Sequence, residues 1–228
     1  MTGTAGQLTL DLPHRPALGA EDFLVSRSNA AAADMMDRWP AWAPPAVIIV
    51  APARAGKTHL ANVWRLRSGA SRIAACELRE EDVSAALAQG AVLLEDLHAG
   101  IGAERVLFHL LNQSRVHKLS MLLTSRHPPG ELQIGLPDLA SRLRALPLVT
   151  ISPPDDALLR AVLVKQFADR QLVVEPHVIS YIALRMEQSM AAAAAVVAEL
   201  DRLAMASHRK VTRALAAEAL ARQAPGQG

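Results

Sequence analysis

Cysteine, aromatic residues and long apolar runs are all scarce in this chain. A single cysteine, Cys76, among 228 residues excludes a disulfide within the chain. Its neighbours Ile73, Ala74 and Ala75 point to a buried thiol in a reducing compartment. With three Trp, three Phe and one Tyr, there are too few rings for a row of base-stacking platforms, so Trp39, Trp42 and Trp64 are read as packing or interface residues. No stretch approaches the roughly 18 apolar residues of a membrane-spanning helix. Residues 1–16 are polar and lack the apolar centre of a signal peptide. A cytoplasmic protein without membrane attachment is expected. Charge of one sign is also lacking: 24 basic residues against 22 acidic ones leave a net +2, so strong direct DNA binding is not expected.

What is present is apolar and helix-favouring. Hydrophobic residues make up 51% of the chain, enough for one standard core and a smaller satellite. Short apolar runs alternate with longer helical stretches. The sequence predicts strands at 47–50, 73–75, 92–94, 120–124 and 148–151, and helices at 29–37, 56–66, 80–88, 103–116 and 136–143. Alternation of this kind implies a parallel sheet covered on both faces. After Pro153 and Pro154, which can continue neither element, the strands stop. Helices are expected at 155–169, 175–185, 189–206 and 212–222, several with acidic or hydroxyl residues near their starts. The expected organisation is therefore a flexible tail (1–19), an α/β core (20–152), a small all-α domain (153–222) and a disordered end (223–228).

The strongest signal follows the first strand. Val47-Ile48-Ile49-Val50 leads into Ala51-Pro52-Ala53-Arg54-Ala55-Gly56-Lys57-Thr58 and then a helix, the context and spacing of a phosphate-binding loop with Ala51 where the first glycine usually stands. Backbone N–H groups of Ala53, Arg54, Ala55 and Gly56 would cradle phosphate. Lys57 would supply charge to the terminal phosphates, the Thr58 hydroxyl would ligate Mg²⁺, and His59 would flank the site. A Cβ at position 51 restricts a turn that glycine leaves free, which favours nucleotide binding over fast turnover.

Ala91-Val92-Leu93-Leu94-Glu95-Asp96 has the shape of the acidic strand end of P-loop ATPases, where one carboxylate serves Mg²⁺ and the other orients the attacking water. By position Glu95 would take the metal side and Asp96 the water side. The competing reading is a solvated acidic turn. Met121-Leu122-Leu123-Thr124-Ser125 is a further apolar strand ending in hydroxyls. Thr124 or Ser125 could sense the γ-phosphate, or both could bond local backbone. Leu139-Ala140-Ser141-Arg142-Leu143-Arg144 ends the helix before the last strand. Arg142, with Arg144 second, stands where AAA+ proteins present an arginine finger to a neighbour's nucleotide. His98, His109 and His117 have no Cys or paired acidic neighbours at ligand spacing, so no metal beyond Mg²⁺ is expected.

Taken together, Phe23-Leu24-Val25-x3-Asn29, Gly56-Lys57-Thr58-His59-Leu60, the Glu95-Asp96 pair, Leu123-Thr124-Ser125-x2-Pro128-Pro129 and Ser141-Arg142-Leu143 resemble the AAA+ core of the bacterial initiator DnaA over residues 20–222. The resemblance implies a P-loop NTPase core with a five-stranded parallel sheet, a helical lid, bound ADP or ATP with Mg²⁺, and Val25 at the nucleotide. The likeness stops short of the helix-turn-helix part of DnaA, and a DnaA-type core without that part resembles the Hda family, which promotes ATP hydrolysis on DnaA at the replisome. The tail agrees: Gln7-Leu8-Thr9-Leu10-Asp11-Leu12 is similar to the hexapeptide that Hda inserts into the β sliding clamp. In an extended segment Leu10 and Leu12 would fill an apolar pocket while Gln7 bonds its rim. DnaA, the clamp and further copies of the chain are thus the expected partners. Ala194 stands where the DnaA-type lid carries its sensor arginine. With Ala51 and the Glu-Asp order, it implies that the chain's own hydrolysis is weak. An autonomous ATPase of the DnaC helicase-loader type and a non-catalytic P-loop scaffold are the competing readings.

Overall fold

The computed structural model describes residues 24–207 and 210–223; Gln7, Leu8, Leu10 and Leu12 lie outside the described residues. The chain divides into two compact units, one of Arg27–Pro154 and one of Asp155 onwards that also takes in Leu24–Ser26.

The larger unit is built on β1 (Ala46–Val50), β2 (Ser71–Ala74), β3 (Ala91–Glu95), β4 (Ser120–Ser125) and β5 (Leu148–Thr150). All four pairings are parallel, in the order β2-β3-β4-β1-β5. Its helices are α1 (Ala30–Asp37), α2 (Lys57–Ser68), α3 (Glu81–Gln89), α4 (Glu104–His117) and α5 (Pro137–Arg144). Strands β1, β3 and β4 are buried at every residue, as continuous apolar runs must be when both sheet faces are covered. Alternation along each strand then sorts the side chains. Ile48, Val50, Val92, Leu94, Met121 and Leu123 share one core with Leu107, Leu110 and Leu111 of α4 and Leu139 and Leu143 of α5. The alternate residues Val47, Ile49, Leu93 and Leu122 face the other way, where α2 packs against β3 and β4. On the buried side of α2, Trp64 stacks on Trp42 with centroids 5.4 Å apart and meets Trp39 edge-on at 6.2 Å. The indole N–H groups of Trp39 and Trp42 donate to Ser120 Oγ and the Met35 carbonyl, so these rings are packing residues.

Element ends differ from the sequence reading by one or two residues, mainly because pairing extends strands past their apolar runs: Glu95 continues β3 against Ala74 and Ser125 continues β4 against Val50. One expectation is corrected. Cys76 is exposed. It lies in a 3₁₀ turn (Ala75–Glu77) that follows β2 and buries Ala75, leaving the next side chain outside. The same turn explains a glycine. Gly102 donates its N–H to the Ala75 carbonyl at 2.9 Å, and a Cβ on it would run into the Cys76 carbonyl group, with the carbon 2.9 Å away. Gly102→Ala forces this backbone apart and is expected to lower unfolding free energy by about 1–3 kcal/mol. A urea midpoint equal to wild type would contradict the contact.

The smaller unit consists of α6 (Asp156–Asp169), α7 (Pro176–Ala183), α8 (Met190–Ser207) and α9 (Arg213–Gln223). Asp155 caps α6 by accepting the Leu158 N–H at 2.7 Å. Pro176 opens α7 at a position where its missing N–H costs nothing. The helices enclose Leu163, Phe167, Ile182, Val196, Val197 and Leu200, all nearly or fully buried. Ala194 lies on α8 and brings no charge. No helix among the described residues is long and apolar enough to cross a membrane.

Candidate nucleotide site

Sheet order places the loop after β1 at the switch point. From β1 the chain crosses to the β2 edge, returns through β3 and β4, and then adds β5 on the far side of β1. Open parallel sheets bind ligands outside the carboxyl ends of their strands at such a point. Here that end carries Ala51 to Thr58.

The loop starts as a continuation of the sheet, with the Ala51 N–H donating to the Ser125 carbonyl at 3.1 Å. Its backbone turns left-handed at Arg54 (φ 63°) and Gly56 (φ 93°), not at Ala51. The Cβ of Ala51 is therefore buried without backbone strain, and the left-handed Arg54 holds a conformation that functional loops tolerate. Gly56 leads into α2, whose first turn has no side-chain cap. The N–H groups at a helix start and the positive end of the helix dipole suit an anion. Thr58 and His59 are exposed beside them.

Lys57 is buried, only 7% exposed, and its Nζ donates to Asp96 Oδ1 at 2.6 Å. Asp96 is itself left-handed (φ 60°) at the end of β3 and donates its N–H to Thr124 Oγ1 at 3.1 Å. Burial works against the charge on Asp96, but the Lys57 bond and charge, aided by His98 and Arg126, outweigh it and hold the carboxyl below its ordinary range. His98 is shifted down as well, chiefly by burial, with Lys57, Arg126 and His127 adding to the effect and Asp96 opposing it. The downward shift favours the neutral ring. Its Nδ1 accepts the Arg126 N–H at 3.3 Å, which joins the turn after β3 to the turn after β4.

The other predicted residues fall as follows. Glu95 is buried and takes a bond from the Arg72 guanidinium of the neighbouring strand β2; it is Asp96, not Glu95, that the fold brings to Lys57. Thr124 and Ser125 are fully buried; the Ser125 hydroxyl accepts the local N–H of His127, whereas the Thr124 hydroxyl accepts the Asp96 N–H at the end of the neighbouring strand. Val25 groups with the helical unit, whereas the loop belongs to the other. Arg142 is half-buried on α5, its guanidinium 4.9 Å from the centre of the Phe108 ring, and Arg144 is exposed. Arg142 shares a small cleft with Pro44 and Ala46, at the amino end of β1. The phosphate loop leaves the other end of that strand, four residues and roughly 13 Å away. Pairing of Glu95 with Arg72 escaped the sequence reading because it depends on strand register. The Glu-Asp pair following an apolar strand was its only trace.

No family model matches the chain. In sequence it is similar to the chromosomal replication initiator DnaA of Thermomicrobium roseum, 27% identical over 136 residues, 57% of this chain and 28% of that protein. It is also similar to the DnaA of Cutibacterium acnes, 32% identical over 103 residues, 43% of this chain and 21% of that protein. The chain thus spans between a fifth and a third of the length of these relatives. In structure it superposes on domain III of the Thermotoga maritima replication initiation protein DnaA with a TM-score of 0.73 at 18% identity, covering 91% of this chain and 97% of that one. The fold is that of the DnaA-type AAA+ domain. AMPPCP-bound DnaA from Aquifex aeolicus matches with a TM-score of 0.67 at 19% identity, over 86% of this chain and 66% of that one. The Thermotoga maritima RuvB Holliday junction branch migration motor matches at 0.63 and 14% identity, over 77% and 61%. The DnaA-type fold accounts for the five-stranded order and the phosphate loop at its switch point.

Proposed function

We propose that this DnaA-like chain is a nucleotide-binding regulator of the Hda kind: tethered to the β sliding clamp, it stimulates ATP hydrolysis on DnaA and so restrains replication initiation at the replisome in the cytoplasm. The observation that carries this reading is the position of Arg142 at the end of the sheet opposite the chain's own phosphate loop. An arginine there cannot serve the nucleotide of its own chain, yet lies on a surface that can face the nucleotide of a neighbour. The neighbour's nucleotide would receive the guanidinium charge as the γ-phosphoryl transition state develops.

On the chain's own side, ADP or ATP would sit on the loop from Ala53 to Thr58, with Lys57 turning from Asp96 to the phosphates. Mg²⁺ keeps most of its water and needs few protein ligands beside phosphate: the exposed Thr58 hydroxyl would hold it, joined by Glu95 once that carboxylate leaves Arg72, while Asp96, already at Lys57, would face the water. Both carboxylates are matched by a cation, Arg72 for Glu95 and Lys57 for Asp96. Either must give up that cation before acting on nucleotide. With Ala194 on the lid, this supports weak hydrolysis by the chain itself and a bound nucleotide that orders the site.

The clamp end is testable separately. Leu10→Ala with Leu12→Ala removes both apolar anchors of the tail. At about 1.5–3 kcal/mol for each buried leucine, clamp affinity is expected to fall by at least 100-fold in a surface-binding assay, while nucleotide affinity stays unchanged. Equal clamp binding by wild type and variant would remove the tail from the account.

A further inference from the structure

Helix α5, which carries Arg142, lacks a cap of its own. Its first residue is Pro137, which has no N–H to offer, and the preceding Leu136 has no side-chain acceptor. The backbone N–H groups just before the helix are taken from elsewhere. Glu104, the first residue of α4, accepts the Gly135 N–H through Oε1 at 2.8 Å and the Leu136 N–H through Oε2 at 2.6 Å. Both carboxylate oxygens are thus committed to one short stretch of backbone 31 and 32 residues away. Charge-assisted bonds of this kind are among the stronger ones, and a carboxylate at the start of a helix is also favoured by its dipole. One turn along the same face of α4 stands Phe108, over which the Arg142 guanidinium rests. α4 therefore holds α5 at both ends.

We propose that Glu104 is a positioning residue for Arg142: by clamping the start of α5, it fixes where the guanidinium at the other end of that helix is presented. This rests on the reading of Arg142 as acting on a neighbour's nucleotide. The helix has eight residues, a rod of roughly 12 Å, so a swing at its start is carried to its last turn. Transition-state stabilisation is sensitive to displacements on the order of 1 Å. Glutamine has the size of Glu104 but only one oxygen to accept a backbone N–H. Glu104→Gln therefore loosens the clamp without opening a cavity.

The test has two arms on the full chain. In the first, each variant is titrated into DnaA-ATP with DNA-loaded clamp. Glu104→Gln is expected to lower the maximal hydrolysis rate about tenfold at an unchanged half-saturating concentration, and to have no further effect in the Arg142→Ala background, as expected for residues acting as one unit. A wild-type rate in Glu104→Gln, an effect confined to half-saturation, or a further fall in the Arg142→Ala background overturns the proposal. In the second arm, amide hydrogen exchange is followed on the chain alone. Residues 139–144 of α5 are expected to exchange about tenfold faster in Glu104→Gln, with α2 unchanged; equal exchange overturns the clamp. Absence of stimulation by wild type in the first arm would refute the regulator reading, and the second arm would still decide the clamp.

Discussion

Arg142→Ala is expected to lower the stimulated rate of ATP hydrolysis on DnaA by about 1,000-fold or more, the range that an arginine supplied in trans commands in other P-loop NTPases. The loss should be in maximal rate, because Arg142 lies half-buried over Phe108 and contributes little surface to docking. Nucleotide affinity of the variant chain should stay at the wild-type value, since the residue sits at the opposite end of β1 from the loop. Arg142→Lys should recover only a small part of the rate. An ammonium keeps the charge but loses the planar fork that meets two phosphoryl oxygens at once. Single-turnover hydrolysis of radiolabelled ATP on DnaA reads both variants against wild type. A full rate in Arg142→Ala would remove the residue from the chemistry, and Arg144 would be next to test.

Lys57→Ala is expected to weaken ADP and ATP binding by roughly 100-fold, equivalent to about 2.7 kcal/mol and within the range of a charge-assisted bond to phosphate. Calorimetric titration of the purified chain measures it directly. The effect on folding should be much smaller. Although Lys57 is buried, the side chain of its partner Asp96 is half exposed, and water relieves a carboxylate left without its cation. The pH dependence follows from the lowered pKa of Asp96. A carboxyl whose folded pKa is depressed stabilises the fold above its unfolded pKa, and that contribution is lost as pH falls through the lower folded value. The Lys57–Asp96 pair is thus intact at neutral pH and breaks only in acid. An unchanged affinity in Lys57→Ala would mean that the loop holds no phosphate.

Much of this architecture is legible in the chain because each strand is an apolar run bounded by a turn signal. Val47 to Val50 and Met121 to Leu123 announce themselves as buried on both faces, and the phosphate loop between β1 and α2 follows from residue type and spacing alone. Properties that depend on register or on long-range contacts were not legible. Nothing local in Glu95-Asp96 says that one carboxylate will meet Arg72 on β2 and the other Lys57 on α2, because that choice is made by strand alternation and by the left-handed turn at Asp96. Cys76 sits among small apolar residues and reads as buried, yet the 3₁₀ turn exposes it. The concern over Ala51 came from motif position, whereas the loop places its left-handed residues at 54 and 56. The role of Glu104 depends on a contact 31 residues away and left no trace in sequence.

The central claim is that this chain works on another protein's nucleotide. The most direct test is hydrolysis of ATP preloaded on DnaA, measured with and without the wild-type chain in the presence of DNA-loaded clamp, beside turnover by the chain alone. The account predicts strong acceleration on DnaA and little turnover by the isolated chain. Rapid turnover by the chain alone, with no acceleration on DnaA, would contradict it and identify a self-contained ATPase.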